Sequence, residues 1–517
     1  MYGTVGDYFG GRHVFFSVLG ICMHVGYFWT NEHHMYGVRY LELAFLSVSG
    51  LTLSFLFTSE QPLWQSFLNS SSAHVHVLLG LYSSLLIYRL FWHPLRQFPG
   101  PFPAKITSLW YGRFVRIGSP DLSITHPLGV GVIYGPKSNC RKASWYDEDH
   151  PRASIHTTRD HQFHNARRRV WSKAFSDKAL QGYEVRVAKY VERLVQKVES
   201  VKGDPINVSQ WFKYFSFDVM GGDLAFAKNF GMLKGGRQHW AVRLLNKALG
   251  VQGQKLPTWI FRIMVAVPGL TRNYWRFIGY CDEQLDERIK SKPVAPDLMS
   301  TLLEHASSSP VSPHELTTLD TTAATLAHVF YNLAKYPIQV QRIRDELFKI
   351  VGDLSSATSC LENRKLQYAD HLNSVIYETL RLHPVVPSAI VRKTPPEGIT
   401  IEDNYVAGGM NVWCPQYVLG RSEDVYEEPL DFIPERWYSR PQMIKEKTSF
   451  APFSVGTYGC IGRPLATMEM RAVIAEIVMR FDVDFAKDDD GRSFIEDTTD
   501  QFTLHLADLE LKFTARR

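Results

Sequence analysis

Apolar residues recur along this chain in three rhythms, and each predicts a different kind of element. Near the start they form nearly unbroken runs at 14–29, 43–57 and 75–92. The first two fall short of the roughly 20 residues that cross a bilayer, and His24 and Glu42 weaken them further, so the third is the best spanning candidate. Two more apolar runs follow the first, and only Arg12 precedes it as a basic residue, which argues against a removable leader. Residues 1–93 therefore read as a membrane anchor with up to three spans, at about 14–30, 43–57 and 75–92. From 94 to 103 four prolines punctuate the chain and stop helix continuation, predicting a stiff hinge.

Beyond the hinge the spacing changes to steps of three and four. Helices are predicted over 166–195 with a break near Ser176, over 282–290 and over 296–305, followed by a Ser/Pro-rich loop at 306–313. Ser312, Pro313 and Glu315 form a capping box that starts the next helix. Its apolar stripe runs through Leu316, Leu319, Ala323, Leu326, Phe330 and Leu333, and it stops before Pro337. Further helices are expected over 338–351 and 369–382. Short strand-like runs broken by Pro395-Pro396-Glu397-Gly398 and Gly408-Gly409 occupy 385–414, and 504–513 alternates like one strand of a terminal hairpin. The expected fold is mainly α with a minor β-sheet region, in one large body over 104–517.

Charge and cysteine usage narrow the function. The 57 basic and 52 acidic residues leave a net charge of +5, too even for a nucleic-acid binder. The six cysteines are scattered without a C-x-x-C pair, so neither a zinc ribbon nor a disulfide framework is indicated, and the body belongs in a reducing compartment. Arg89 near the end of the third run and Arg96, Lys105 and Arg113 after it place the body in the cytosol by the positive-inside rule. The stretch 58–74 has no Lys or Arg and reads as a lumenal loop carrying a sequon, Asn69-Ser70-Ser71.

One cysteine stands apart. Cys460 lies in Phe453-Ser454-Val455-Gly456-Thr457-Tyr458-Gly459-Cys460-Ile461-Gly462, on a glycine-framed loop that opens a helical pattern to Arg480. Backbone N–H groups at a helix start favour a thiolate, and a thiolate there can ligate a haem iron. The set F-x-x-G-x-x-x-C-x-G resembles the haem-binding signature of the cytochrome P-450 superfamily, the haem-thiolate monooxygenases. Glu378-Thr379-Leu380-Arg381, Pro434-Glu435-Arg436-Trp437 and Asp320-Thr321-Thr322 are similar to three further motifs of that family, in its order. The resemblance covers roughly 89 to the C-terminus, and the run 88–95 is similar to filamentous-fungal microsomal members.

The resemblance implies haem b with iron on Cys460, within a loop shaped by Phe453, Gly456, Tyr458 and Gly462. It further implies His164, Arg168, Arg392 and Tyr458 as propionate contacts, Asp320 and Thr321 as the proton relay of catalysis, and Glu378, Arg381 and Arg436 as a buried brace for the ligand loop. Its partners would be an NADPH–cytochrome reductase, an apolar small-molecule substrate and the endoplasmic reticulum membrane, with the catalytic domain cytosolic, no nucleic acid, and a role in secondary metabolism. Two departures stand out. Tyr458 occupies a position where the family commonly has Arg or His, which removes one formal charge. The helix before Asp320 is short by about a dozen residues, roughly 18 Å at the α-helical rise. A haem-thiolate isomerase or dehydratase that does not use O2, or an impaired variant or misread gene with a shortened helix, therefore stay open as alternatives.

Overall fold

The computed structural model describes residues 5–29, 32–59, 61–98, 113–148, 150–226, 228–252, 256–291, 297–304, 321–351, 362–388 and 390–516. Helices dominate, and the strands are short, as the rhythms predict.

The N-terminal runs form three helices, Val5–Met23, Gly37–Thr58 and Leu63–Ile87, and the first and third continue as wide turns to Phe28 and Trp92. Two helical stretches, His34–Thr58 and Leu63–Trp92, are long and apolar enough to cross a membrane, whereas His13–Phe28 is shorter. The first and third pack backbone to backbone. A Cβ on Gly20 would sit 1.9 Å from the Val77 carbonyl oxygen, and one on Gly80 would sit 1.9 Å from that of Ser17. Small residues at such a crossing let dispersion forces hold helices together where lipid removes the hydrophobic drive.

Two sequence expectations are corrected. The stretch 58–74 is not a loop, because Leu63–Ile87 is one continuous helix. Asn69 lies inside that helix, with its amide donating to Gln61 Oε1 at 2.8 Å, so the sequon is not displayed on a loop. Intrahelical hydrogen bonding overrides the polar composition that suggested a loop. The alternating run 504–513 likewise divides. Thr503–His505 pairs with Thr499–Gln501, whereas Glu510–Ala515 joins a three-stranded sheet between Ile206–Asn207 and Phe481–Phe485. Leu506 and Leu509, both buried, turn the chain between the two.

In the body, the first predicted helix begins earlier, at His161. The Asp160 carboxylate caps it by accepting from the backbone N–H of Gln162 at 2.8 Å and of Phe163 at 3.1 Å. It ends at Ala174, and Asp177–Ser200 follows, which puts the break where Ser176 suggested. The predicted 282–290 helix extends back to Arg272, and Leu298–Glu304 follows it. Thr321–Lys335 is buried from Thr322 to Ala334 and runs through the main core, flanked by Asp370–Leu382 and Arg463–Arg480. The Ser312 capping box and Asp320 lie outside the described residues. Part of the hinge packs into the body. Leu95 and Phe98 are buried in a smaller core with Phe114 and Leu122, two residues of a five-stranded sheet. That sheet runs Phe114–Arg116, Asp121–Ile124, Asn411–Trp413, Arg392–Lys393, Arg141–Lys142 in spatial order.

Candidate functional site

The loop before Arg463–Arg480 holds Cys460 by its own backbone. The Cys460 N–H donates to the Phe453 carbonyl at 2.7 Å, and Gly459 N–H to that of Gly456 at 3.1 Å. Gly456 has φ +66° and lies so close to the neighbouring chain that a Cβ would meet the Tyr134 carbonyl oxygen at 2.4 Å. Cys460 is exposed, yet protein surrounds enough of its sulfur that burial pushes the thiol up. The N–H groups of Gly462 and Arg463 oppose this, and Arg168 and Arg463 add positive charge that favours the thiolate. Cys140, Cys281 and Cys414 are buried, and burial raises each of them, Cys281 to about 12. Cys22 belongs to the N-terminal helices.

Around the loop the chain gathers positive charge. Arg168 Nη1 donates to the Gly459 carbonyl at 2.7 Å, tying the 161–174 helix to the cysteine loop. Of its two neighbours, Arg167 is buried and Arg169 is exposed. His164 is buried with its ring edge-on to Tyr458, centroids 4.7 Å apart, and burial followed by Lys142 and Arg168 lowers it to about 4, so it is neutral. Arg392 is 2 % exposed and its guanidinium lies 4.9 Å from the Tyr458 ring centroid. Its Nη1 donates to Tyr146 Oη at 3.2 Å and the Val391 carbonyl at 3.1 Å, while its Nε is buried without a hydrogen-bond partner.

Sequence reasoning missed Lys142. It is buried on the edge strand Arg141–Lys142, with Nζ 4.9 Å from the same ring centroid. No local spacing relates it to the cysteine; only the strand register does. Glu469 was also missed. It is fully buried on the 463–480 helix, and burial pushes its carboxyl up to about 8 against the Thr322 hydroxyl, so it is neutral at pH 7.

Glu378, on the 370–382 helix, is completely buried and its two oxygens are claimed several times over. Arg381 forks onto it at 2.7 and 2.9 Å, Arg436 Nε donates at 3.0 Å, and Trp437 Nε1 and the Ile433 N–H each donate at 2.9 Å. The remaining guanidinium N–H groups go to backbone. Arg381 reaches the carbonyls of Gly420, Pro429 and Asp431, and Arg436 those of Glu427 and Glu428.

Thr321 is half-buried at the start of the described part of its helix, and its carbonyl accepts from Thr325 Oγ1 at 3.2 Å. The same helix contributes His328 to a cleft of about 1430 Å³. Trp145, Trp259, Val391 and Phe502 line it too, with His34 and Arg89 from the N-terminal segment. Glu32 and His34, on the turn between the first two helices, hold that segment to the body. Glu32 accepts from Arg159 and Lys393, and His34 meets Asp147 at 2.7 Å. Glu32, His34 and Asp147 have metal-ligand spacing, but Arg159 and Lys393 neutralise the carboxylates.

The cytochrome P450 family model matches residues 129–294 and 317–513. The cytochrome P450 monooxygenase notG' of Aspergillus versicolor is 38% identical over 532 aligned positions, covering 97% of each chain. The tryprostatin B 6-hydroxylase of Neosartorya fischeri is 37% identical over 540, again 97% of each. Both alignments exceed the 517 residues of this chain, so each must place gaps in it. The crystal structure of the cytochrome P450DA heme domain superposes with a TM-score of 0.64 at 17% identity, over 77% of this chain and 87% of that one, a likeness of fold.

Proposed function

The chain belongs to the cytochrome P450 family and is a P450-type monooxygenase, and on that premise we propose a membrane-anchored enzyme of secondary metabolism that oxidises an apolar small molecule with Cys460 as its iron ligand. The family implies haem b on a cysteine thiolate, and the residues present fit that group. Behind Cys460 stand two backbone N–H groups and two arginines, and beside it lie buried cations with no carboxylate among the described residues, a donor set suited to two propionates. Haem, when bound, supplies the redox chemistry that inserts one atom of O2 into the substrate.

The chain's own residues do the rest. Arg168, Arg392, His164 and Tyr458 hold the propionate edge, and Glu378, Arg381 and Arg436 keep the 420–437 segment fixed behind the ligand loop. Thr321, with Asp320, moves protons on the substrate side. The cleft reached from the anchor side has Trp145, Trp259 and Phe502 in its wall but neither Cys460 nor Thr321, so it suits the entry path of a bulky apolar substrate that partitions into a bilayer. Electrons would come from an NADPH–cytochrome reductase at the endoplasmic reticulum, with the body cytosolic and the basic residues after Trp92 at that face.

The observation that carries this reading is Cys460, an exposed residue on a helix-opening loop, beside an unbalanced cation cluster. The reduced, CO-bound protein is expected to absorb at the thiolate-ligated position, and Cys460→Ser to lose that band; a retained band would reassign the ligand. A segment shortened ahead of Thr321 would leave the substrate side of the haem open to water. NADPH oxidation should then couple poorly to product, and tight coupling would show that another segment covers that face.

A further inference from the structure

The cation cluster has a feature that the family motif does not explain. On the antiparallel pair Arg141–Lys142 and Arg392–Lys393, Lys142 stands directly opposite Arg392. Like charges at directly opposed positions repel, and in a sheet they destabilise the pair unless something lies between them. Both side chains are buried, at 4 % and 2 % exposure. Both approach the Tyr458 ring to 4.9 Å, and Arg168 comes to the same loop through Gly459. Among the described residues no carboxylate pairs with any of the three, although burying even one unpaired charge is costly.

The hydrogen-bond inventory points the same way. Lys142 Nζ donates to the carbonyls of Ile155 at 2.9 Å and His156 at 2.6 Å, which leaves one of its three N–H groups for another acceptor. Arg392 Nε is left over as well. Two spare donors on adjacent strands thus flank a phenol at the position where the sequence had lost a cation.

We propose that Lys142 binds a haem propionate, supplying from the edge strand the positive charge that Tyr458 does not. This rests on the haem-thiolate reading above. The carboxylate sits between Lys142 and Arg392 and turns their cross-strand repulsion into two charge-assisted hydrogen bonds, with the Tyr458 ring as an apolar floor. Burial, then Arg392 and Arg168, lower the Lys142 ammonium to about 6, so at pH 7 the repulsion is relieved by loss of a proton that a bound carboxylate would restore.

The test uses the full chain with haem bound, in detergent, and follows transfer of haem to excess apomyoglobin. Lys142→Gln is expected to speed haem loss by about tenfold, the scale of one charge-assisted hydrogen bond, while Lys142→Arg stays near the starting rate. Adding Tyr458→Arg to Lys142→Gln should restore slow loss, which a purely structural lysine would not allow. Reconstitution with haem dimethyl ester, whose propionates carry no charge, should abolish the difference between wild type and Lys142→Gln. Equal rates with natural haem, or an equal acceleration with natural and esterified haem, would overturn the role of Lys142. A wild-type chain that takes up no haem would instead overturn the reading beneath it.

Discussion

The body holds two buried charge clusters, one around Glu378 and one beside the cysteine loop at Tyr458, and they are built on opposite plans. Around Glu378 the books close: two arginines face one carboxylate, and the excess guanidinium N–H groups end on backbone carbonyls. Around Tyr458 they do not: Lys142, Arg168 and Arg392 converge without an acid among the described residues, and Arg392 keeps an idle donor. A satisfied cluster gives up nothing to a ligand and serves as support. An unsatisfied one costs stability until an anion arrives, and so marks where a charged group binds.

The largest expected effect comes from breaking the closed cluster. Glu378→Gln leaves Arg381 and Arg436 buried without their counter-charge and should cost about 3–5 kcal/mol, enough to collapse the yield of folded, haem-bearing protein. Thermal unfolding and the ratio of haem to protein report it. The open cluster should respond in the reverse sense. Arg392→Gln removes one of several like charges, so it should leave the yield of folded chain near wild type while haem is lost at least tenfold faster. A fall in folded yield comparable to that of Glu378→Gln would erase the distinction.

Glu469 is a third solution, a buried acid kept neutral rather than paired. Its folded pKa of about 8 lies above its ordinary 4.5. The cost of burying it is therefore absent below pH 4.5, grows as pH rises, and levels off above about 8. Glu469→Gln should raise the unfolding temperature at pH 8 and change it little at pH 4.5; equal shifts at both would place the effect in packing. The smallest effect belongs to Glu32, between anchor and body. Burial alone would raise it, but Arg159 and Lys393 hold it down to about 2, so its stabilisation is complete above pH 4.5 and fades as pH falls toward 2. The partners are partly exposed, so Glu32→Gln should cost about 1 kcal/mol or less, read as faster proteolysis of the anchor–body junction with catalytic spectra unchanged.

What the sequence settled by itself was local. Helix rhythm through 166–195 and 369–382, the break at Ser176, and a glycine-framed cysteine at a helix start are relations between residues a few positions apart, and periodicity records them. The Glu378 and Arg381 spacing was legible in the same way, three residues apart on one helix. Whether that pair was a solvated surface contact or a sealed brace depended on Ile433, Arg436 and Trp437, more than fifty positions away. Tertiary structure alone decided that 504–513 serves two sheets and that Lys142 opposes Arg392 across 250 residues. The physical reason is common to both. A side chain's rotamer and helical neighbours follow from the chain beside it, but its burial and the charge it faces are set by strand register and packing, which bring together residues that no sequence window spans.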